Sequence, residues 1–417
     1  MEYLALVAPL RVYRRKTSGW GALLLFLTQV GNPAALGGET FFYKQQTGDK
    51  YRIISRVYEE VYVNRRFSHR SEIVNRIAAE VRRVQDGVAQ HEAVFQTAER
   101  ALGTDKGQRF HWNREYPSEF GRNPQGYITI DPQYFMPVVR NVPVFPEEDL
   151  KPGDTWSAEG YEMHDFRASF GIDEPYRIPF MAHYRFLGNR EWQGKEYPAF
   201  SVSYRIFAEP GVVSGDTYPI RIMGASDQVV YWDRALSQAA AYQEQFRMVF
   251  TLSNGVTIEY RGRAEAEIVE SRTMDKEHIA EEITGDIRRL GIGDVSVRVT
   301  DEGIAISLED IQFQPDSAVL APEEQHKLDS IAAILMRYPD RDILVGGHTA
   351  RAGSAAGRMQ LSQERAAAVA DYLIQRRVRS ADRVVVRGYG AERPIADNTT
   401  DAGRHRNRRV EITILEN

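Results

Sequence analysis

The sequence predicts a multidomain protein: a β-rich N-terminal region, built as an antiparallel barrel or half-barrel, followed by a smaller α/β domain. Three observations predict it. From Thr40 to about Met274 the chain runs in short alternating stretches rich in Tyr, Phe, Val and Ile, such as Tyr51-Arg-Ile-Ile-Ser-Arg-Val-Tyr58 and Phe200-Ser-Val-Ser-Tyr-Arg-Ile-Phe207. Turn punctuation separates them at Thr47-Gly-Asp49, Asn123-Pro-Gln-Gly126, Lys151-Pro-Gly-Asp154 and Ser253-Asn-Gly255. After residue 275 the period changes, and strand patterns alternate with helical ones. A length of 417 residues with 42% hydrophobic and 27% charged residues suits two or three globular domains and is too apolar for a disordered chain.

The first segment carries Arg11, Arg14, Arg15 and Lys16 before the apolar run Trp20-Gly-Ala-Leu-Leu-Leu-Phe-Leu27, with small residues Ala34, Ala35, Gly37 and Gly38 beyond it. This is the pattern of a secretory signal peptide over residues 1–38. The run falls short of the ~20 residues a spanning helix needs, which disfavours a retained anchor and leaves no transmembrane span in the mature chain. Export places the remainder in the periplasm or outside. With no cysteine in the chain, disulfides, thiolate metal sites and thiol catalysis are excluded, and core packing must hold the fold. A net charge of -5 draws no polyanion to the molecule as a whole.

Residues 39–146 and 147–274 read as two β-rich domains, divided at the connection Val142-Pro-Val-Phe-Pro-Glu-Glu-Asp-Leu-Lys-Pro-Gly-Asp-Thr-Trp156, whose prolines stop strand pairing. Charges interspersed along the strands favour a water-facing β domain over an outer-membrane barrel. Residues 68–83 fit two patterns: Ile73, Ile77 and Val81 suit one helical face, whereas Ile73-Val74 and Val81-Arg-Arg-Val84 suit strands. Trp156, Trp192, Tyr197 and Trp232 read as core or rim aromatics. Asp275–Leu290 is an amphipathic helix, with Ile279, Ile283, Ile287 and Leu290 at helical spacing. Then follow strands at Val295–Val299 and Ile304–Leu308, a helix from Pro322 to Tyr338, a strand Asp342–Gly346, a helix from Arg358 to Arg377, and strands Val384–Arg387 and Arg409–Leu415. Helical crossovers of this length imply a compact α/β domain spanning 275–417.

Six motifs stand in order in this last part. They are Phe313-x-x-Asp-Ser-Ala-x-Leu320, Val345-x-Gly-His-Thr349, Leu361-Ser-x-x-Arg-Ala366, Gly388-Tyr-Gly390 with Pro394, Asn398, and Gly403-Arg404-x-x-Asn-Arg-Arg-Val410. Together they resemble the OmpA-like C-terminal domain shared by OmpA, the peptidoglycan-associated lipoprotein and the MotB stator protein, over about residues 304–415. The resemblance implies a βαβαβ-type sandwich and non-covalent binding of the peptide stem of peptidoglycan. It further implies that an Asp after the His-Thr pair and the Arg of Leu-Ser-x-x-Arg grip the free amino-acid end of diaminopimelate, a zwitterion that asks for one carboxylate and one guanidinium.

Arg365 matches the guanidinium. The position after Thr349 is Ala350, so the expected carboxylate is missing, and Asp397 and Asp401 are the nearby candidates to replace it. The ligand-binding set is therefore Arg365, Thr349, Ala350, Asn398 and Arg404, with the loop Gly347 to Ser354 shaping the pocket. His348 has no second ligand at metal spacing and reads as structural. The arginines at 376–383 and 404–409 read as a solvated face, because no aromatic residues are interleaved for nucleic-acid stacking. Glu59-Glu60 and Glu281-Glu282 also read as solvated. No Gly-x-Ser-x-Gly elbow, His-Glu-x-x-His motif or phosphate loop is present, and no catalytic residue, metal or cofactor is expected. The sequence thus describes an exported, non-enzymatic envelope protein, partnered by peptidoglycan. The alternative is a scaffold for other envelope proteins whose OmpA-like domain no longer holds the wall.

Overall fold

The computed structural model describes residues 38–102, 110–172, 175–211, 217–270, 275–309, 311, 320–339 and 341–416. The expected signal segment and positions 313–319 of the first C-terminal motif lie outside the described residues. Strands come first: β1 (Lys50–Val63), β2 (Arg66–Gln85), β3 (Val88–Leu102), β4 (Phe110–Arg122), β5 (Ile128–Ile130), β6 (Val139–Arg140) and β7 (Thr155–His164). After the short α1 (Arg167–Phe170) come β8 (Tyr176–Trp192), β9 (Lys195–Ala208), β10 (Pro219–Asp233), β11 (Gln238–Leu252) and β12 (Thr257–Glu270). The chain then alternates through α2 (Lys276–Leu290), β13 (Val295–Val299), β14 (Gly303–Glu309), α3 (Pro322–Leu335), β15 (Ile343–Gly347), α4 (Ala355–Gln375), β16 (Val384–Gly388), α5 (Asp401–Asn407) and β17 (Arg409–Leu415).

Among the described residues 17 strands form one mixed sheet. Its antiparallel part runs β6-β7-β8-β9-β10-β11-β12-β1-β2-β3-β4, with β5 on one end of β4. The stretches 39–146 and 147–274 share this sheet, because β1 pairs with β12 along thirteen residues from Tyr51↔Glu270 to Val63↔Ile258. Hairpins turn on two-residue loops whose positive φ matches the strand twist, as at Asn64-Arg65 (φ 49° and 65°) and Asp86-Gly87 (φ 50° and 77°). The sheet is open and does not close into a barrel, so the closed-barrel form of the expectation is corrected. Residues 68–83, ambiguous in sequence, are strand: β2 pairs on both sides, and this fixes period-two alternation over the helical one.

Alternation also decides which face is apolar. In β8, Ile178, Phe180, Ala182, Tyr184 and Phe186 are buried, while Arg177, His183 and Arg185 between them are exposed. The inward residues of β1, β2 and β7 to β12 join in one core cluster. The proline-rich connection and the segment before it pack against the inward residues, and Met136, Val138, Val144 and Phe145 are buried there. Trp156 stacks on Tyr184 with ring centroids 5.1 Å apart and donates its indole N–H to Val144 O at 2.7 Å. Trp232 is 2% exposed.

One expectation fails on this face. Glu59 is buried, not solvated, because it shares the inward register of Ser55, Val57 and Val61; only Glu60 looks outward. Burial, with the neighbouring carboxylate of Glu99, pushes its carboxyl up to about 8. Glu244 on β11 is buried as well and is pushed up to about 7, mainly by burial, although it accepts from Ser226 Oγ at 2.6 Å.

The C-terminal strands continue the same sheet. β16 pairs in parallel with β4 at Val385↔Phe110 and Val386↔His111, and the order proceeds β16-β15-β17-β14-β13. β15 and β16 are parallel with α4 as the crossover. The strands at 295–299 and 409–415 sit where the sequence placed them, and the other C-terminal elements agree to within about three residues. The helix α5, which carries Gly403, Arg404 and Asn407 of the last motif, is an element that the sequence patterning did not predict. Ile343, Val345, Val384, Val386, Ile412 and Ile414 meet the buried faces of α3 and α4. The other face of these strands, Leu344, Val385 and Leu415, packs on Ile54, Val74, Ala98 and Phe110 of the β region. At this junction Asp342 accepts from Arg76 Nη2 at 2.5 Å and Arg383 Nε at 2.9 Å. Burial alone would raise its carboxyl, but Arg76 and then Arg383 outweigh burial and hold it below the usual range.

Asp342→Ala would leave two guanidinium groups facing each other without their anion. A loss of ~3–5 kcal/mol in denaturant-derived stability is expected. Since the folded pKa lies below the unfolded one, Asp342's contribution is present above about pH 3.9 and is lost as pH falls through the folded value. Glu59 and Glu244 act with the opposite sign. Their folded pKa values are raised, so stability should fall as pH rises from about 4.3 towards 8, and Glu59→Gln with Glu244→Gln should flatten that slope in melting curves taken across the range.

Candidate functional site

The site read from the sequence is assembled by three loops at the ends of β15, β16 and the segment before α5. Close approach of α4 makes this possible. A Cβ on Gly347 would sit 2.0 Å from Ser362 O, and one on Gly388 would sit 2.8 Å from Gln363 N. The motif glycines therefore let the helix backbone rest directly against the strand ends. Ser362 Oγ accepts from Gly390 N at 2.9 Å and donates to Met359 O at 2.8 Å. Gln363 Oε1 accepts from Gly388 N at 2.5 Å, and its amide nitrogen reaches His111 of β4 at 2.8 Å.

The loops are then tied to one another. Thr349 N donates to Gly390 O at 2.8 Å, and Tyr389 N donates to Gly347 O at 2.9 Å. Asn398 Oδ1 accepts from Arg351 N at 3.0 Å, which bridges the loop after β15 to the loop before α5. Arg404, on α5, donates to Asn398 O and Thr399 O, both at 3.0 Å, and pairs with Asp401. Asn407, 1% exposed, accepts from Ile395 N and Ala396 N at 2.8 and 3.0 Å and so holds the start of the same loop. Ser354 caps α4 by accepting from Gly357 N at 3.1 Å.

Thr349, Ala350, Asn398 and Arg404 are thus linked through a continuous run of bonds. Arg365 is half-buried on α4, one turn beyond the Ser362 that anchors the helix to Gly390. Thr349 Oγ1 is buried with no hydrogen-bond partner. Ala350 is buried, and its methyl occupies the position where the resemblance implies a carboxylate. Neither substitute carboxylate is turned to that role. Asp397 accepts from Thr399 Oγ1 at 2.6 Å and Thr399 N at 2.8 Å, bonds that hold its pKa below the usual range, and Asp401 pairs with Arg404.

His348 has a structural place, held by packing: its ring stacks on Tyr389 at 4.8 Å and 10°, and neither ring nitrogen has a hydrogen-bond partner. Burial, then Arg409, Arg298 and Arg393, pushes its pKa down to about 2, so the 3.7 Å approach of Glu411 is not an ion pair. The arginine-rich end is not wholly a solvated face. Arg379 is 6% exposed and donates to the carbonyls of Leu335, Tyr338, Arg341 and Val378, capping the end of α3. Arg409 is 2% exposed and is paired with Glu411. The motif Leu361-Ser-x-x-Arg names Ser362 without giving it a part and leaves Gln363 as an unspecified position. Their signal was available, since polar side chains one helical turn from core positions beside strand-end glycines are placed to bond loop backbone. Among the described residues no cluster of three metal-ligating side chains occurs, and no helix is long and apolar enough to cross a membrane.

These features define an OmpA-family domain. Residues 312–408 match the OmpA family model, and the C-terminal segment of the chain belongs to that family. Curated relatives match over the same segment. The chain is 38% identical over 121 residues to "Probable lipoprotein YiaD" of Escherichia coli, covering 29% of this chain and 55% of that protein. It is 40% identical over 104 residues to "Peptidoglycan-binding protein ArfA" of Mycobacterium bovis, covering 25% of this chain and 32% of the relative. A solved structure titled as the cell wall anchor of the T6SS from Pseudomonas aeruginosa is 32% identical, covering 34% of this chain and 99% of that one with a TM-score of 0.29. The chain thus spans about half the length of the first of these curated relatives and about a third of the second.

Gly347→Ala should test the packing account of the motif. The new methyl meets backbone, which cannot swing aside, so a loss of at least ~1–3 kcal/mol is expected. Gly285→Ala on the open side of α2, where a Cβ meets nothing within 4 Å, should raise stability slightly. Equal melting temperatures for the two variants would refute the role given to Gly347.

Proposed function

We propose that this is an exported, non-enzymatic envelope protein, working in the periplasm in association with the cell wall or outer membrane, whose C-terminal domain holds peptidoglycan non-covalently by its peptide stem. The observation that carries the reading is the family match over 312–408, with Arg365 at the guanidinium position and the Thr349, Asn398 and Arg404 loops bonded into one frame. Arg365 would take a stem carboxylate bidentately. Thr349 Oγ1, buried and unpartnered, supports a ligand-facing position for that hydroxyl. Asn398 borders the pocket through the bond that fixes Arg351, and Arg404 braces Asn398 from behind.

A second reading is favoured by Ala350. Losing the anion that faces a ligand ammonium costs ~1.5–3 kcal/mol, or ten- to hundredfold in affinity. With Asp397 and Asp401 engaged in their own turn, the domain would then serve as a protein-association scaffold and not as a wall anchor.

Pull-down of the full chain with insoluble peptidoglycan, beside calorimetric titration with diaminopimelate, separates the two. Wall binding that falls at least tenfold in Arg365→Ala supports the anchor reading, and diaminopimelate affinity should rise ten- to hundredfold in Ala350→Asp. Binding left unchanged by Arg365→Ala would remove Arg365 from the site. A chain that ignores peptidoglycan both as wild type and as Ala350→Asp would overturn the anchor reading and leave the scaffold reading standing.

A further inference from the structure

The β region holds a cavity of about 250 Å³ between the inner face of its sheet and the segment Met136–Pro143, and none of its lining residues belongs to the OmpA-family loops. Its walls are mainly apolar, with Ile53, Ile77, Phe95, Val138, Val230 and Ile268 among them. The segment forms a braced lid. Arg140, 3% exposed, donates to Tyr134 O and Phe135 O at 2.9 Å and to Pro137 O at 3.0 Å. A void of this size equals about eight water volumes, yet apolar walls give water few partners.

A short neutral polar band crosses the apolar surface. Ser55, Asn75 and Thr97 are successive cross-strand partners on β1, β2 and β3, and Tyr242 Oη lies 3.4 Å from Ser55 Oγ at the end of the band. All four line the cavity. Thr97 is 4% exposed, and its Oγ1 and Asn75 Oδ1 are buried with no hydrogen-bond partner. Buried polar atoms are ordinarily satisfied, so two orphans side by side on one cavity wall ask for a ligand donor. The charged side chains at the margin are already engaged: Glu244 accepts from Ser226 and Gln228, and the Arg122 guanidinium lies over the Tyr43 and Phe120 rings at 4.7 and 5.6 Å.

We infer that this cavity is a second binding site, taking an uncharged amphiphile: an aliphatic chain against the sheet, with a hydroxyl or amide head hydrogen-bonded to Asn75 Oδ1 and Thr97 Oγ1. A carboxylate head is disfavoured, since it has no hydrogen to give Asn75 Oδ1 and no free cation beside the band balances its charge, Arg122 being engaged over the Tyr43 and Phe120 rings. An ammonium head is disfavoured because the band itself is neutral and Glu244, the carboxyl at the margin of the lining, already accepts from Ser226 and Gln228.

The test uses the full chain and the fluorescent probe N-phenyl-1-naphthylamine, which is apolar, uncharged and carries one N–H. Saturable brightening is expected, with 1-octanol displacing the probe at a concentration at least tenfold lower than octanoate does. Ala264→Phe places a ring in the cavity from a wall residue that is 2% exposed, and should abolish brightening. Asn75→Leu with Thr97→Val keeps shape and removes the head contacts; it should weaken octanol five- to tenfold while 1-chlorooctane binds as well or better. Peptidoglycan pull-down should be unaltered in both variants, which separates this site from the C-terminal one. The inference is overturned if the wild-type chain shows no saturable brightening, if octanol and octanoate compete equally, or if the double variant, melting within a few degrees of wild type, binds octanol unchanged.

Discussion

The inner strands β14, β15 and β17 of the OmpA-family domain are buried on both faces, and this double cover is the constraint on which the rest of the structure depends. Alternation sends Ile343 and Val345 towards α3 and α4, and sends Leu344 the other way, onto the outer face of the β region. A strand buried on both faces reads as a continuous apolar run, as Ile343-Leu-Val345 does. The same constraint explains why β16 takes β4 as a parallel neighbour and why Asp342 is clamped between an arginine of each part. Arg52 with Glu416 at 3.1 Å, and Arg387 with Glu115 at 3.5 Å, add charge pairs around the apolar contact. The partly exposed Arg387–Glu115 pair contributes little by itself, whereas Arg52–Glu416 is largely buried and each charge there depends on the other. Their effect is to fix register on a surface whose apolar contacts would tolerate a slip.

The candidate site inherits its order from that arrangement. Because α4 must lie on β15 and β16 while their second face is occupied, the helix can approach only where the strands end in glycine. Gly347 and Gly388 permit contact, and Ser362 and Gln363 convert contact into hydrogen bonds with the loops that carry Thr349 and Tyr389. Gln363 bonds at once to Gly388 and to His111 of β4, so the loop frame is linked to the β region through one side chain.

How much of this was legible follows from which physics leaves a local trace. The helices and strands after residue 275 could be bounded closely because the period switches between 3.6 and 2 within a few residues; the start of α4 was placed three residues late because its cap, Ser354, was not read as one. The β region could be read as strands but not as an open, curled sheet, because closure depends on whether β4 and β6 pair, and pairing at that distance leaves no local mark. Glu59 was misread for a related reason. Beside Glu60 it looks like a solvated pair, and only its place two residues from Val57 and Val61 on a strand with one buried face shows that it points inward. Arg379 and Arg409 were misread because a guanidinium can be buried when carbonyls or a carboxylate surround it, and such partners come from distant elements. Thr349, Asn398 and Arg404 were legible as a group because their motif brings them in fixed order, but the bond from Arg351 N to Asn398 Oδ1 that unites them was not.

The two parts of the chain treat buried polarity differently, and the difference bears on function. In the OmpA-family domain the motif side chains Ser362, Gln363, Asn398 and Asn407 have backbone partners, which makes the loops rigid and leaves Thr349 Oγ1 as a polar atom without a bond. In the β region an interior of Glu162, His164, Tyr204, Ser226 and Glu244 satisfies itself through short bonds, such as Tyr204 Oη to Glu162 at 2.9 Å and His164 to Glu162 at 2.8 Å. Beside that network, Asn75 Oδ1 and Thr97 Oγ1 remain unbonded on the wall of a cavity. An interior able to satisfy a carboxylate with Ser226 and Gln228 had the means to satisfy a threonine hydroxyl. Leaving adjacent polar atoms open on an apolar wall costs stability that packing with Val and Leu would have recovered, and such a cost is retained where a bound molecule repays it.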